Sequence, residues 1–126
     1  MMSSITLVVF QHSGYGFAVE ARYVVAMGTL QNLAHEQQKY IDLSGLLATS
    51  TKLAPTANYA LRLRRQQDEL LLALEQEAQI IELNTDSIWP LPPLMQHAKQ
   101  HPSIQALAWH NNQLLTLLNV QQLTAL

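Results

Sequence analysis

The chain has 126 residues and a mass of 14.2 kDa, with 48% hydrophobic and 13% charged residues, no cysteine and a formal net charge of −2. That length suits one domain, 1–126, with a real core, and the apolar content excludes wholesale disorder. Missing cysteine removes disulfides, thiolate chemistry and sulfur-ligated zinc.

Seven basic against nine acidic residues give no broad cationic field, so nucleic acid is not the expected partner. The longest early apolar run, Leu7 to Phe10, falls far short of a membrane span or a signal-peptide core. A soluble cytoplasmic protein is the expectation.

Ile5-Thr6-Leu7-Val8-Val9-Phe10 is short and rich in β-branched residues, so it reads as a strand. His12-Ser13-Gly14-Tyr15-Gly16 carries turn chemistry, and Phe17-Ala18-Val19 returns, which makes a hairpin. Glu20-Ala21-Arg22 suits one helical turn before a strand at Tyr23-Val24-Val25-Ala26-Met27. Lys39-Tyr40-Ile41 is a short strand, and Asp42 or Ser44 stands as an N-cap ahead of Leu46 and Leu47.

The stretch from Asn58 to Leu83 has high helix propensity, and one amphipathic helix is the alternative that propensity alone supports. Its polar and apolar residues are blocked differently. Arg64 to Glu69 is six polar residues in a row and Leu70 to Leu74 is five apolar ones. At 3.6 residues per turn, blocks of that length wrap the whole helix and leave no stripe. A hairpin fits instead: Leu61 and Leu63 alternate with Arg62 and Arg64, Gln66 to Glu69 forms the tip, and Leu70 to Leu74 returns buried.

Gln79 to Leu83 is a further strand and Asn84-Thr85-Asp86 a turn. Ile88 to Pro93 must be extended, because each proline drives the residue before it out of helical geometry. Ile104 to Trp109 and Leu114 to Leu118 flank His110-Asn111-Asn112-Gln113 as a second hairpin, and Val120 to Leu123 closes as a short helix. Many short strands with few helical turns are the signature of a mostly-β barrel or sandwich.

The search for chemistry returns little. Gly14-Tyr15-Gly16 lacks the third glycine of a dinucleotide loop, and Ser44 lacks the glycine two residues earlier that a nucleophile elbow needs. His35-Glu36 has no second histidine to make a metalloprotease motif. His97 and His101 would share a helix face, but no carboxylate between Met95 and Leu107 completes a metal site, so both are read as solvated. No catalytic, metal or cofactor site is expected. A deep cavity lined by those histidines or by the acidic stretch would be the sign of an enzyme or small-ligand barrel.

Six of the nine carboxylates lie between Asp68 and Asp86. Asp68, Glu69, Glu75, Glu77 and Asp86 fall at strand ends or turns, and Glu82 points outward, all suited to solvation and edge protection. Arg62, Arg64 and Arg65 are expected to face outward, for a partner or for solubility. Trp89 and Trp109 are partly buried core aromatics or, if exposed, interface anchors.

The order of these pieces resembles the CheW-like family, the adaptor domains that couple chemoreceptors to the histidine kinase CheA. Leu7 to Phe10 with Gly16 to Val19 looks like its opening hairpin. Tyr40-Ile41-Asp42-Leu43 is similar to its Pro-Val-Ile-Asp-Leu strand, with Lys39 at the proline position. Ile88-Trp89-Pro90-Leu91-Pro92 resembles its Ile-x-Pro-x-Pro stretch, and Leu115 to Leu123 its closing strand and helix. The resemblance implies two small five-stranded SH3-like barrels sharing a core, one of them shortened here.

It also implies a non-catalytic adaptor for a histidine kinase regulatory domain or chemoreceptor, docking around Val24, Ala26, Asn32, Leu33 and Ala34. A homodimerising regulatory module outside chemotaxis is the alternative. The family's signalling arginine falls on Ala34 and its coupling glutamate on Ala26. Each replacement removes charged hydrogen bonds of roughly 1.5–3 kcal/mol when formed. The Gly of the family's Gly-x-x-Val-Asp strand becomes Leu71, and its Asp becomes Glu75. The loop and strand that separate Met27 from Leu30 in the family are nearly gone. That deletion is expected to leave an open edge near Tyr23 to Met27, covered by a partner or by a second copy in a homodimer.

Overall fold

The structure, a computed structural model, describes residues 3–12, 14–33, 39–42, 58–66, 68–90 and 104–122. Ten strands lie among them: β1 (Ser4–His12), β2 (Tyr15–Glu20), β3 (Val24–Thr29), β4 (Lys39–Asp42), β5 (Tyr59–Arg64), β6 (Glu69–Leu74), β7 (Gln79–Asn84), β8 (Ile88–Pro90), β9 (Ile104–His110) and β10 (Gln113–Leu118). The one α-helix among these residues is the single turn α1 (Leu30–Leu33), and 3-10 turns follow β2, β7 and β10.

Pairing sorts the strands into a six-stranded sheet, β7-β1-β2-β10-β9-β8, and a four-stranded sheet, β3-β5-β6-β4. β1 and β2 form the opening hairpin with Val8 opposite Val19 and Phe10 opposite Phe17, the two rings stacked 6.1 Å apart. Gly14 sits in this turn at φ 83°, a left-handed conformation that glycine adopts without steric cost.

Both sides of β1 and β2 are buried, which is why their sequences are apolar runs and not alternations. One side supplies Val8, Phe10, Phe17 and Val19 to a core closed by Leu61, Leu63, Leu70, Leu72 and Leu74 of the four-stranded sheet. The other side supplies Leu7, Val9 and Ala18 to a second core, inside the curl of the six-stranded sheet, with Leu83, Ala106, Ala108, Leu115 and Leu117. Two small barrels therefore share a wall, as expected, and the strands divide six and four instead of five and five. Among the described residues the four-stranded sheet is the smaller of the two.

The leucine-dense middle does double back. β5 and β6 pair antiparallel from Tyr59 with Leu74 to Arg64 with Glu69, and the tip is closed by the Arg65 N–H donating to the Asp68 carbonyl at 2.8 Å. Glu69 belongs to the strand and not to the tip. The expected turn at Asn84 is a 3-10 turn, Thr85–Ser87, whose Asn84 side chain accepts from the Asp86 N–H at 2.9 Å. The helix start expected at Asp42–Leu47, the extended run past Pro90, and His35, His97 and His101 lie outside the described residues.

Candidate functional site

The expected docking residues fall on two adjacent elements, β3 and α1. Ala26 pairs with Arg62 and Gly28 with Ala60, so these four share the outer face of the four-stranded sheet. α1 lies over that face. Leu33 is the nearest atom group to Gly28, and the Arg62 Nη2 donates to the Leu33 carbonyl at 2.9 Å. An arginine at that end satisfies a carbonyl the helix leaves unpaired. The other end is tied by the Leu30 N–H to the Asn58 carbonyl at 2.9 Å, and the Asn32 N–H donates to Thr29 Oγ1 at 3.3 Å.

The structure thus brings Ala26, Asn32 and Leu33 together. Val24 does not join them: it faces the opposite side of the sheet, opposite Leu63, and packs against the shared core. Ala34 lies outside the described residues.

The basic run divides. Arg64 is exposed as expected, whereas Arg62 is half-buried against α1 and Arg65 is half-buried at the hairpin tip. There Arg65 binds Asp68 through two bonds, Nε to Oδ1 at 2.6 Å and Nη2 to Oδ2 at 2.5 Å. Donation to the Asp68 carboxylate, against a smaller opposing effect of burial, holds the Arg65 guanidinium above its usual range.

Two features escaped the reading of the residues. Val25 and Met27 project from β3 with 41% and 37% of their surface exposed. A cavity of about 240 Å³ borders the end of the same strand, lined by Met27, Gly28, Thr29, Tyr59, Ala60, Glu77 and Ala78. Among the described residues its titratable lining is Glu77 and the Tyr59 phenol.

The second feature is an aromatic face on the six-stranded sheet. Leu114 pairs with Trp109, Thr116 with Leu107, and Leu107 with Trp89, so their side chains emerge on one side. The parallel pairing of Leu115 with Gly16 carries Tyr15 alongside Leu114. Tyr15, Trp89, Trp109 and Leu114 are each half exposed or more. This is the side that carries Phe17 and Val19 toward the four-stranded sheet; beyond them it opens to solvent. Trp89 and Trp109 therefore sit outside both cores, with about half of each side chain in solvent, and the cross-strand register shows that they belong to one patch.

No family model matches the chain, and no curated protein matches it. Among solved structures, the crystal structure of the scaffolding protein TtCheW from Thermoanaerobacter tengcongensis matches with a TM-score of 0.69 over 98% of this chain and 100% of that one, at 11% sequence identity. The fold is CheW-like. Eleven per cent identity is compatible with a shared fold, because a fold depends on the patterning of apolar positions more than on particular side chains. The expected opening hairpin, the β5–β6 hairpin and the closing β9–β10 pair all belong to this CheW-like fold.

Proposed function

We propose that the chain is a non-catalytic CheW-like adaptor that docks proteins in a bacterial chemotaxis or related two-component signalling complex in the cytoplasm. The observation that carries this reading is the whole-length likeness to a scaffolding protein, with both chains covered almost end to end. The exposed aromatic face adds support, because contiguous apolar patches rich in Trp and Tyr mark protein-binding surfaces. No helix among the described residues is long and apolar enough to cross a membrane.

The partners proposed are a histidine kinase regulatory domain and a chemoreceptor tip. Docking is assigned to the β3–α1 surface around Ala26, Asn32 and Leu33, with Val24 supporting it from beneath and Ala34 next in the sequence. Ala26 and Ala34 supply methyls where the family carries charge, so contact here is apolar and carried by shape. The test is retention of the purified chain by an immobilised kinase regulatory domain and by a receptor tip. Binding to either with Kd below about 100 μM is expected. Failure of both at that concentration overturns the adaptor role.

A second reading, a homodimerising regulatory module outside chemotaxis, is favoured by the uncharged outer edge of β3. It predicts a chain that binds itself and neither signalling partner.

A further inference from the structure

We propose that the outer edge of β3 is a self-association site, where two copies of the chain pair β3 against β3, antiparallel, and join their four-stranded sheets into one of eight strands. This deepens the homodimeric reading and requires neither kinase nor receptor, so its test and the adaptor's test fail independently.

The case rests on comparing the four sheet edges among the described residues. Open edges recruit other strands, and natural proteins blunt them with charge, proline or brevity. β7 carries the exposed Glu82, which accepts from Ser4 Oγ at 2.6 Å. β8 is three residues long and ends in Pro90. β4 is four residues long and includes Lys39 and Asp42. β3 carries neither charge nor proline: Val24-Val25-Ala26-Met27-Gly28-Thr29 is six residues long and, among the described residues, pairs with β5 alone.

An irregularity between Val24 and Ala26 disturbs one end of this strand. From Ala26 to Thr29 the register with β5 is unbroken, so the free side presents a regular row of backbone donors and acceptors.

Charge decides that the occupant is a second copy. A neutral edge offers nothing to select a charged peptide, whereas about a two-fold axis it meets only itself. No like charges then face each other, and the net charge of −2 imposes little long-range repulsion between copies. Such pairing about Met27 sets that residue opposite its own copy, reduces the exposed surface of Val25 and Met27, and sets the added strand beside the cavity at Met27 to Thr29. Ala26 and Gly28 present no bulk on the α1 side to obstruct it.

Sedimentation velocity on the full chain from about 10 μM to about 1 mM reads the association directly. A shift from one chain to two is expected, and Val25→Lys with Met27→Lys should raise the dimer Kd at least about tenfold while circular dichroism stays unchanged. Because the chain has no cysteine, a single Met27→Cys reports the axis: it should oxidise to a covalent dimer, and Gln105→Cys on β9 should not. A single-chain mass throughout overturns the proposal. So does a dimer that the double lysine variant leaves unchanged, or crosslinking at Gln105 in place of Met27. Should the lysine variant lose its β spectrum, the cysteine pattern decides.

Discussion

Gly16 shows how one residue's identity is dictated from far along the chain. It lies on β2 against β10, and a Cβ there would sit 2.6 Å from Leu115 Cδ2 and 2.9 Å from the Gln113 side-chain amide carbon. Both neighbours belong to a strand almost a hundred residues later, itself tied to β1 by paired amide bonds between Gln11 and Gln113 at 3.0 and 2.9 Å. Gly16→Ala must displace a buried leucine, and about 1–3 kcal/mol of destabilisation is expected in urea unfolding.

Arg65 and Asp68 are the contrasting case, with both side chains about a fifth exposed and joined by two short bonds. Asp68→Ala should cost about 1 kcal/mol or less, a loss that shrinks in high salt. An equal loss at all salt concentrations would mean that the turn itself, and not the charge pair, is what matters. Asp68 at a strand end was legible in the residue order. Arg65 turning in to meet it was not, because a basic run reads as one solvated face and does not show which member finds a carboxylate across the turn.

Hairpins are the elements on which this fold depends, and each carries its own local instruction. In β9–β10, His110 pairs with Gln113 across Asn111 and Asn112, at φ 50° and 60°. Two successive left-handed residues match the twist of the strands they join, and asparagine tolerates that conformation better than other side chains. Asn112→Val should destabilise the protein by about 1–2 kcal/mol, while Asn112→Gly should be neutral or stabilising; thermal unfolding of the pair separates the backbone effect from any side-chain contact.

β5–β6 illustrates the opposite balance. Local propensity favours helix there, yet the polar block followed by the apolar block cannot make one helical face, and burial of Leu70 to Leu74 overrides propensity. α1 was invisible from the residues. A single helical turn has no periodicity to read, and its end is held by Arg62, 29 residues away.

For the molecule as a whole, β1 and β2 act as a common wall, so a cavity in either core loosens both sheets. Leu72→Ala, from full burial in the shared core, should cost about 2–5 kcal/mol. If the sheets unfold as one unit, β1 probes and β6 probes will report the same transition. The outer aromatic face should behave differently. Trp109→Ala should barely change stability, because half of that ring is already in water, yet it should weaken retention by a signalling partner at least about tenfold if the patch anchors the adaptor. Unchanged retention would move docking to the β3–α1 surface alone.

What the order of residues determined by itself is the list of strands, the turns between them and the burial of Leu70 to Leu74. These depend on nearest-neighbour periodicity, which each segment carries in its own residues. The six-and-four division of strands and the gathering of Tyr15, Trp89, Trp109 and Leu114 on one face were decided only in three dimensions. A strand's own residues state which way its side chains point, but its neighbour is chosen by pairing between distant segments, and an edge or a patch exists only once those neighbours are in place.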